Sequence, residues 1–431
     1  GILNNEKIIF GLSNLHFRFA HISIIQYFSA FFNNLLIEKH GIILSIAIIA
    51  SAVIINFLGH SFYYLKNKNF NFHFLFLLSI LIFIAYKMNR YGEYGNDAPT
   101  HFLFFFLISE LIQLFNKKRE SFNSNHLIIA IFIFLNKITM AFAIFLPFIF
   151  FKKKNLLRLF KETKIYFAFV FLFLWILKNI VISGCMLYPV DKLCFKDLEW
   201  SNITQVKAVS EENEAWTKSW PDYKNTNSIS QIEYSSKFNW VNTWSKTHLK
   251  KICSILIPYL ILLLLIFSVI HFKYKNNKIY FNKSVNNNYL ILILFMVLFS
   301  FIWFIKIPVY RYGYSYFISF IALSFAYISN FKYSIKNTAS SFFNFFMIFL
   351  ITVFVLKNII RIVKPANNNK SFFPDIIYLD KTDVKKINLD NFFYYESNRM
   401  CGYSFSPCTH YKNQKLKSKK YFNYNVVITT N

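Results

Sequence analysis

The stretch RYGEYGNDAPTHFLFFFLISEL, residues 90–111, joins a short polar hinge to a run of almost uncharged apolar side chains. A helix needs about 20 such residues to cross about 30 Å of hydrocarbon, because each residue advances the helix by about 1.5 Å. Asp97 suits the N-cap of this helix, and Pro99 suits its first turn. The stretch therefore predicts a helix that enters a membrane near Asp97.

Similar apolar runs recur along the 431 residues, of which 55% are hydrophobic and 56 are Phe. This composition is typical of a chain that lies largely in lipid. The sequence predicts an all-α polytopic membrane protein with about eight spans and a short membrane hairpin. The predicted spans are 41–58, 71–86, 98–115, 164–183, 251–271, 288–305, 313–330 and 342–361.

The hairpin is predicted for residues 126–151, which are long for one span and short for two. They are expected to form two short helices, 126–136 and 139–151, with Lys137 between them. A charge inside hydrocarbon is costly and usually faces a partner or a water-filled cavity. Alternatively, the hairpin emerges outside and Lys137 lies at its solvated tip. Both interpretations stay open at this point.

Lys and Arg determine the predicted orientation, because short loops rich in these residues stay in the cytoplasm. The loops predicted to be cytoplasmic are 59–70, 116–125, 152–163, 272–287 and 331–341. These loops also account for much of the net charge of +28, so no nucleic-acid partner is expected.

This orientation divides the chain into five parts. Residues 1–40 form an extracytoplasmic region in which 15–37 reads as an amphipathic helix at the membrane surface. The other parts are a first membrane half (41–183), an extracytoplasmic loop (184–250), a second membrane half (251–361) and a small extracytoplasmic C-terminal domain (362–431).

Four cysteines form two closely spaced pairs in segments predicted to lie outside. Cys185 and Cys194 are nine residues apart, and Cys401 and Cys408 are seven apart. An extracytoplasmic compartment favours two local disulfides. Zinc is the alternative, but neither spacing matches the usual ligand patterns, and no metal site is predicted.

Polar side chains at the outer helix ends are the candidate functional residues. Asp97 and Glu93 are the candidate catalytic carboxylates, since a carboxylate within reach of a hydroxyl can accept its proton. Arg18, Lys137 and Arg311 are the candidate phosphate-binding residues, because their cationic groups pair well with phosphate oxygens. The alternative is structural: Asp97 caps a helix, and Arg311 extends to the membrane surface within an aromatic belt.

Eight short motifs follow one another along the chain: GLSNLHFRFAHIS (11–23), NDAPTHFL (96–103), LNKITM (135–140), SGCMLYPVDKLCF (183–195), AWTKSWP (215–221), WVNTWSKTH (240–248), YRYGYSYF (310–317) and CGYSFSPCTHY (401–411). In this order they resemble a family of uncharacterised bacterial membrane proteins of leptospiral type. That family is in turn similar to C-type membrane glycosyltransferases, and the resemblance implies the bacterial inner (cytoplasmic) membrane as the location. Asp97 and Arg311 match a recurrent aspartate and a recurrent arginine of the family.

The resemblance implies transfer of a sugar from a polyprenyl-phosphate donor to a cell-envelope glycan or lipid, on the extracytoplasmic face. It implies no cofactor besides the donor, and its partners would be membrane lipid, donor and acceptor. It also places a catalytic carboxylate ahead of the motif at residues 14–18, so an N-terminally truncated sequence is expected. The alternatives are a glycan or lipid transporter, with polar residues at mid-depth in its spans, and a non-catalytic scaffold.

Overall fold

The computed structural model describes residues 7–21, 23–35, 41–88, 96–116, 124–150, 162–224, 229–274, 283–332, 340–369, 384–398, 401, 406–411 and 415–429. These residues are mostly helical, with short strands near the C terminus. The all-α prediction therefore holds for the membrane part and is wrong for the C-terminal region. The predicted site residue Glu93 lies outside the described residues.

The helices follow the predicted order, and most are longer than predicted. The span predicted at 71–86 is one residue shorter, and the helix predicted at 15–37 is confined to Ile25–Leu35, with a 3₁₀ turn at Phe17–Ala20 before it. The first half holds α1 (Ile25–Leu35), α2 (Gly41–Lys66), α3 (Phe72–Tyr86), α4 (Asp97–Asn116), α5 (Ser124–Asn136) and α6 (Thr163–Ser183). The loop after α6 holds α7 (Ile203–Thr217), α8 (Gln231–Ser236) and α9 (Trp240–Trp244). The second half holds α10 (Lys250–Tyr274), α11 (Lys283–Lys306), α12 (Tyr310–Lys332) and α13 (Ser340–Asn369).

Within the described ranges, six helical segments are long and apolar enough to cross a membrane, whereas eight were predicted. Five of them lie in α2, α4, α6, α11 and α13. The sixth runs without a break from α9 into α10. The two predicted spans outside this set are 71–86 and 313–330, which fall in α3 and α12. Helix α3 has only 15 residues, and α12 carries many Ser and Tyr side chains that lower its hydropathy.

Helix α3 forms the centre of the bundle, because every residue from Phe72 to Ala85 is buried. A helix that is apolar on all sides needs apolar neighbours all round, and here the neighbours are other helices. Helices α2, α4, α10, α12 and α13 all contact it. The Tyr289 ring stacks on Phe72 at 3.9 Å, and the Tyr259 hydroxyl donates to the Ser79 carbonyl at 3.2 Å.

The segment predicted as a hairpin contains two short helices that meet at Lys137. Helix α5 ends at Asn136, and a 3₁₀ helix follows at Ile138–Phe150. The Met140 amide donates to the Lys137 carbonyl at 2.9 Å, so a tight turn of backbone joins the two. The prediction of two helices that break at Lys137 is therefore confirmed.

Five short strands lie near the C terminus. β1 (Val384–Leu389) and β2 (Phe392–Ser397) are antiparallel, and β3 (Cys408–Thr409) joins β2 in parallel. β4 (Leu416–Tyr421) and β5 (Tyr424–Thr429) form a separate antiparallel pair. Phe10 forms a parallel bridge with Val426, so the N-terminal segment extends this second pair.

The N-terminal segment also fastens the C-terminal strands to the loop after α6. The Asn14 amide donates to the Val427 carbonyl at 2.9 Å and to the Trp200 carbonyl at 3.0 Å. Gly11 has a φ of 65°, and a Cβ there would lie 2.3 Å from the Val427 oxygen. Only glycine fits this crossing without strain.

Both predicted disulfides are present in the structure, Cys185–Cys194 and Cys401–Cys408. The first follows directly after α6, which ends at the left-handed Gly184. The tryptophans of the following loop include packing residues: Trp240 and Trp244 are buried, and the Trp244 indole donates to the Pro308 carbonyl at 2.6 Å. The loop is thereby fixed beside the start of α12.

Candidate functional site

Three predicted site residues come together at one end of the helical bundle. Asp97 lies in the first turn of α4, Lys137 lies between α5 and the 3₁₀ helix, and Arg311 lies in the first turn of α12. The start of the 3₁₀ helix is also tied to α12, because the Tyr316 hydroxyl donates to the Thr139 carbonyl at 2.9 Å. The bundle therefore places three distant stretches of sequence at one point.

The Asp97 carboxylate lies between two cations. Its Oδ1 atom pairs with the Lys137 ammonium, and its Oδ2 atom lies 3.6 Å from the Arg311 Nε. The side chain of Lys137 is 7% exposed, that of Asp97 27% and that of Arg311 50%. The two cations and one carboxylate carry a net charge of +1. Burial therefore increases from Arg311, which solvent reaches, to Lys137, which it scarcely reaches.

Tyr312 covers the two cations of this cluster. The Lys137 ammonium lies 3.9 Å from the centre of the Tyr312 ring, close enough for a cation–π interaction. The Arg311 guanidinium donates from Nη2 to the Tyr312 hydroxyl at 3.3 Å. Lys137 thus has a carboxylate and an aromatic ring as neighbours. Of the two alternatives for this residue, the structure agrees with a partner within the protein and not with a solvated hairpin tip.

Two asparagines join the helix ends that carry Asp97 and Lys137. Asn96 and Asn136 each precede one of the charged residues, and each donates its amide to the other's backbone carbonyl, at 2.9 and 3.0 Å. The Asn136 amide also reaches the Thr100 hydroxyl, and its Oδ1 accepts from the Ser23 hydroxyl. This pair was missed in the sequence, although both asparagines stand directly before a charged residue.

His101 of α4 holds the backbone of Arg311 in place. Its Nε2 lies 2.8 Å from the Arg311 carbonyl, which can only accept, so Nε2 carries the proton. The Nδ1 atom then accepts from the Ser315 hydroxyl. His101 is buried and was also missed, because a single histidine inside an apolar run gives no signal of its partner.

One buried polar atom near the cluster has no hydrogen-bond partner among the described residues. It is the Thr139 hydroxyl, two residues after Lys137. Buried hydroxyl groups are normally paired, so this group is available to a polar ligand or a water molecule. Within the same described ranges, no group of His, Cys, Asp or Glu side chains is arranged to hold a metal ion.

Arg18, predicted to join Lys137 and Arg311, lies in a second cluster instead. The His16 Nε2 is 3.2 Å from the His410 Nδ1, and the His16 and Tyr411 rings are 4.8 Å apart. The pKa of His16 is lowered from 6.5 to about 4. Burial is the largest cause, and the nearby His410, Arg18 and His21 contribute the rest. Arg18 is exposed beside this cluster and takes no part in the ion pairs of Asp97 with Lys137 and Arg311, so its role in phosphate binding stays a prediction.

The chain belongs to a protein family described as a domain of unknown function, DUF8201, whose model matches residues 2–318. The match covers well over half of the chain and includes Asp97, Lys137 and Arg311, whereas the C-terminal strands lie beyond it. No curated protein and no solved structure matches the chain.

Proposed function

We propose that this member of the DUF8201 family transfers a sugar from a polyprenyl-phosphate donor to a cell-envelope glycan or lipid on the extracytoplasmic face of a bacterial membrane. The observation that carries the proposal is the Asp97 carboxylate held between Lys137 and Arg311 at the end of a candidate span. This arrangement combines a base for a hydroxyl group with two cations for a lipid-linked phosphate, at the depth where both substrates meet.

The position of the cluster supports an extracytoplasmic site. Pro308, three residues before Arg311, accepts a hydrogen bond from Trp244 of the loop that carries the Cys185–Cys194 disulfide. Disulfides persist in oxidising compartments, so the loop and the cluster beside it belong on the outer side. The Lys and Arg distribution gives the same orientation from independent information.

In the proposed reaction, Lys137 and Arg311 bind the donor phosphate. The acceptor hydroxyl oxygen forms a bond with the anomeric carbon of the sugar, and the bond from that carbon to the phosphate oxygen breaks. The electron pair of the broken bond leaves with the lipid phosphate, whose growing charge the two cations stabilise. The hydroxyl proton passes to Asp97, which acts as general base.

The ion pairs within the cluster bear directly on this role. A carboxylate that is paired with two cations is a weak base, because both neighbours favour its charged form. Phosphate oxygens compete with Asp97 for the same ammonium and guanidinium donors. Binding of the donor therefore weakens the pairs and raises the basicity of Asp97 only when the donor is present.

A glycan or lipid transporter is the second candidate, and a polar chain farther along α4 favours it. Glu110 lies 3.9 Å from His126 and accepts from Gln113, which in turn is 3.3 Å from His60. Ionisable groups inside a membrane bundle often mark a substrate or proton pathway. Glu110 is about 20 Å along α4 from Asp97, so polar groups lie within the bundle as well as at its outer end.

The test compares Asp97→Asn and Lys137→Met with wild type in a strain that lacks the gene, at equal membrane abundance. Envelope glycan and polyprenyl-linked sugar are measured in each strain. Sugar transfer predicts loss of glycan and accumulation of the lipid-linked sugar in both variants. The matched control is Glu214→Gln, because Glu214 forms a comparable ion pair with the buried Lys218, at 2.6 Å, away from the cluster.

The results separate the candidates. Normal glycan in Asp97→Asn overturns the proposed chemistry and leaves a scaffold. For a transporter, the lipid-linked sugar stays in the cytoplasmic leaflet, where a lectin added to spheroplasts does not reach it. For a transferase, the accumulated sugar lies in the outer leaflet and binds the lectin. Equal loss in Glu214→Gln would attribute the defect to folding.

A further inference from the structure

Lys178 lies in a candidate span and forms no ion pair with a described carboxylate. Lys178 is five residues before the end of α6 at Ser183. Its ammonium donates to the Tyr27 hydroxyl of α1 and lies 4.1 Å from the centre of the Tyr27 ring. The ion pairs formed among the described residues do not include Lys178. A charge within a span usually has a partner of opposite sign or a polar ligand.

Exposed apolar side chains flank this cation on two different helices. On α6, Leu174 and Phe171 lie four and seven residues before Lys178, on the same face, and both are exposed. On α1, Phe28 and Phe31 are exposed as well. A lysine that only extends to the membrane surface would point its ammonium to water, whereas Lys178 is half-buried against Tyr27.

We propose that Lys178 and Tyr27 bind the phosphate of an anionic diacyl phospholipid, whose chains lie along the exposed faces of α1 and α6. An ammonium group has three donors, and Tyr27 accepts only one of them, so donors remain for phosphate oxygens. Lys178 lies five residues, or about 7.5 Å, inside the end of α6, and its flexible side chain can extend toward the headgroup region.

The two apolar faces decide between lipid classes that share a phosphate. A diacyl phospholipid has two chains and covers both faces, whereas a single prenyl chain leaves one of them bare. Burial of each additional methylene group strengthens binding, so the lipid that covers both faces is preferred. This site is separate from the Asp97 cluster and does not depend on the proposed sugar transfer.

The test measures phosphatidylglycerol and phosphatidylcholine binding to the full chain in detergent by native mass spectrometry. The wild-type chain is expected to prefer phosphatidylglycerol, and Lys178→Met to reduce that preference by about tenfold, as for one charge-assisted hydrogen bond. The matched control is Lys164→Met, because Lys164 is exposed near the other end of the same helix. Lys178→Arg keeps the charge and is expected to retain the preference.

Two results would overturn the proposal. One is an unchanged phosphatidylglycerol preference in Lys178→Met. The other is polyprenyl phosphate displacing phosphatidylglycerol at equal or lower concentration. If Lys178→Met does not fold, Tyr27→Phe removes only the hydroxyl and is expected to weaken phosphatidylglycerol binding by a few fold. Lys178→Met is expected to leave envelope glycan at the wild-type level, so a failure here is distinct from a failure of sugar transfer.

Discussion

Removal of the Asp97 carboxylate is expected to destabilise the protein more than removal of the Lys137 ammonium. Asp97→Asn leaves a 7% exposed ammonium without its anion and 3.9 Å from an aromatic ring that only partly replaces it. Lys137→Met leaves a 27% exposed carboxylate that still has Arg311 at 3.6 Å and access to solvent. The asymmetry follows from the difference in burial between the two partners.

The magnitude comes from the cost of an unpaired charge. Breaking a buried ion pair by removal of one partner costs about 3–5 kcal/mol in soluble proteins. Polar interactions inside membrane proteins have smaller measured values, at most about 1.7 kcal/mol, because the unfolded chain in lipid also finds partners. We therefore expect a loss of about 2 kcal/mol for Asp97→Asn and about 1 kcal/mol for Lys137→Met.

The assay is a double-mutant cycle on reversible unfolding in mixed micelles. The double variant Asp97→Asn/Lys137→Met has no buried charge to leave unpaired, so we expect it to be at least as stable as Asp97→Asn alone. Its loss would then be at least about 1 kcal/mol smaller than the sum of the two single losses, which exceeds the usual error of additivity. If the two losses simply add, Asp97 and Lys137 do not interact, and the geometry of the cluster is wrong.

Three further outcomes are expected. Gly11→Ala is expected to destabilise by about 2 kcal/mol in thermal unfolding, because the left-handed backbone and the close Val427 oxygen both oppose a Cβ. The pKa of His16 is lowered from 6.5 to about 4, so the free energy of unfolding should reach its full value above pH 6.5 and decrease as the pH falls toward 4. In His16→Gln, the free energy of unfolding should depend less on pH over this range. Cys185→Ser is expected to lower the free energy of unfolding by about 2–3 kcal/mol, measured against Cys253→Ser, which breaks no disulfide.

Hydropathy located the helices but did not show which of them face lipid. The run at 71–86 is as apolar as any in the chain, yet α3 is covered by protein on every side. A period of 3.6 residues appears only when one face differs from the other, and α3 has no such difference. Conversely, α12 packs much of its length against the bundle, where Ser and Tyr side chains find room that lipid would not offer. Six of the eight predicted spans fall in described segments that are long and apolar enough to cross a membrane, and the other two stay predictions.

The members of the Asp97 cluster were predicted singly, but their pairing was not. Asp97 was found as a polar residue at a helix start, and Lys137 as a charge within an apolar run. Their contact joins positions 40 residues apart and depends on how α4 and α5 pack, which no local pattern encodes. Arg18 was assigned to the same site from its charge alone, and the ion pairs of Asp97 do not include it. The uncharged partners Asn136 and His101 were missed because such residues also occur as caps and core residues.

The energetics of buried charge favour a ligand-binding role over a purely structural one. An apolar pair of similar volume usually stabilises a protein as well as a buried ion pair does, or better. The Asp97 cluster nevertheless contains two cations and one carboxylate, supported by a reciprocal asparagine pair and followed by the unpaired Thr139 hydroxyl two residues after Lys137. The Glu214 carboxylate also lies near two cations, Lys218 at 2.6 Å and Lys306 at 3.9 Å, but Lys218 has a further acceptor in the Ser235 carbonyl at 3.0 Å. The cluster has a formal net charge of +1, and its most exposed member, Arg311, presents a cation toward solvent, which is the arrangement that the proposed phosphate-bearing donor requires. The start of a helix at Asp97 and a site for chemistry are therefore compatible, because the helix end is what brings the carboxylate to the two cations.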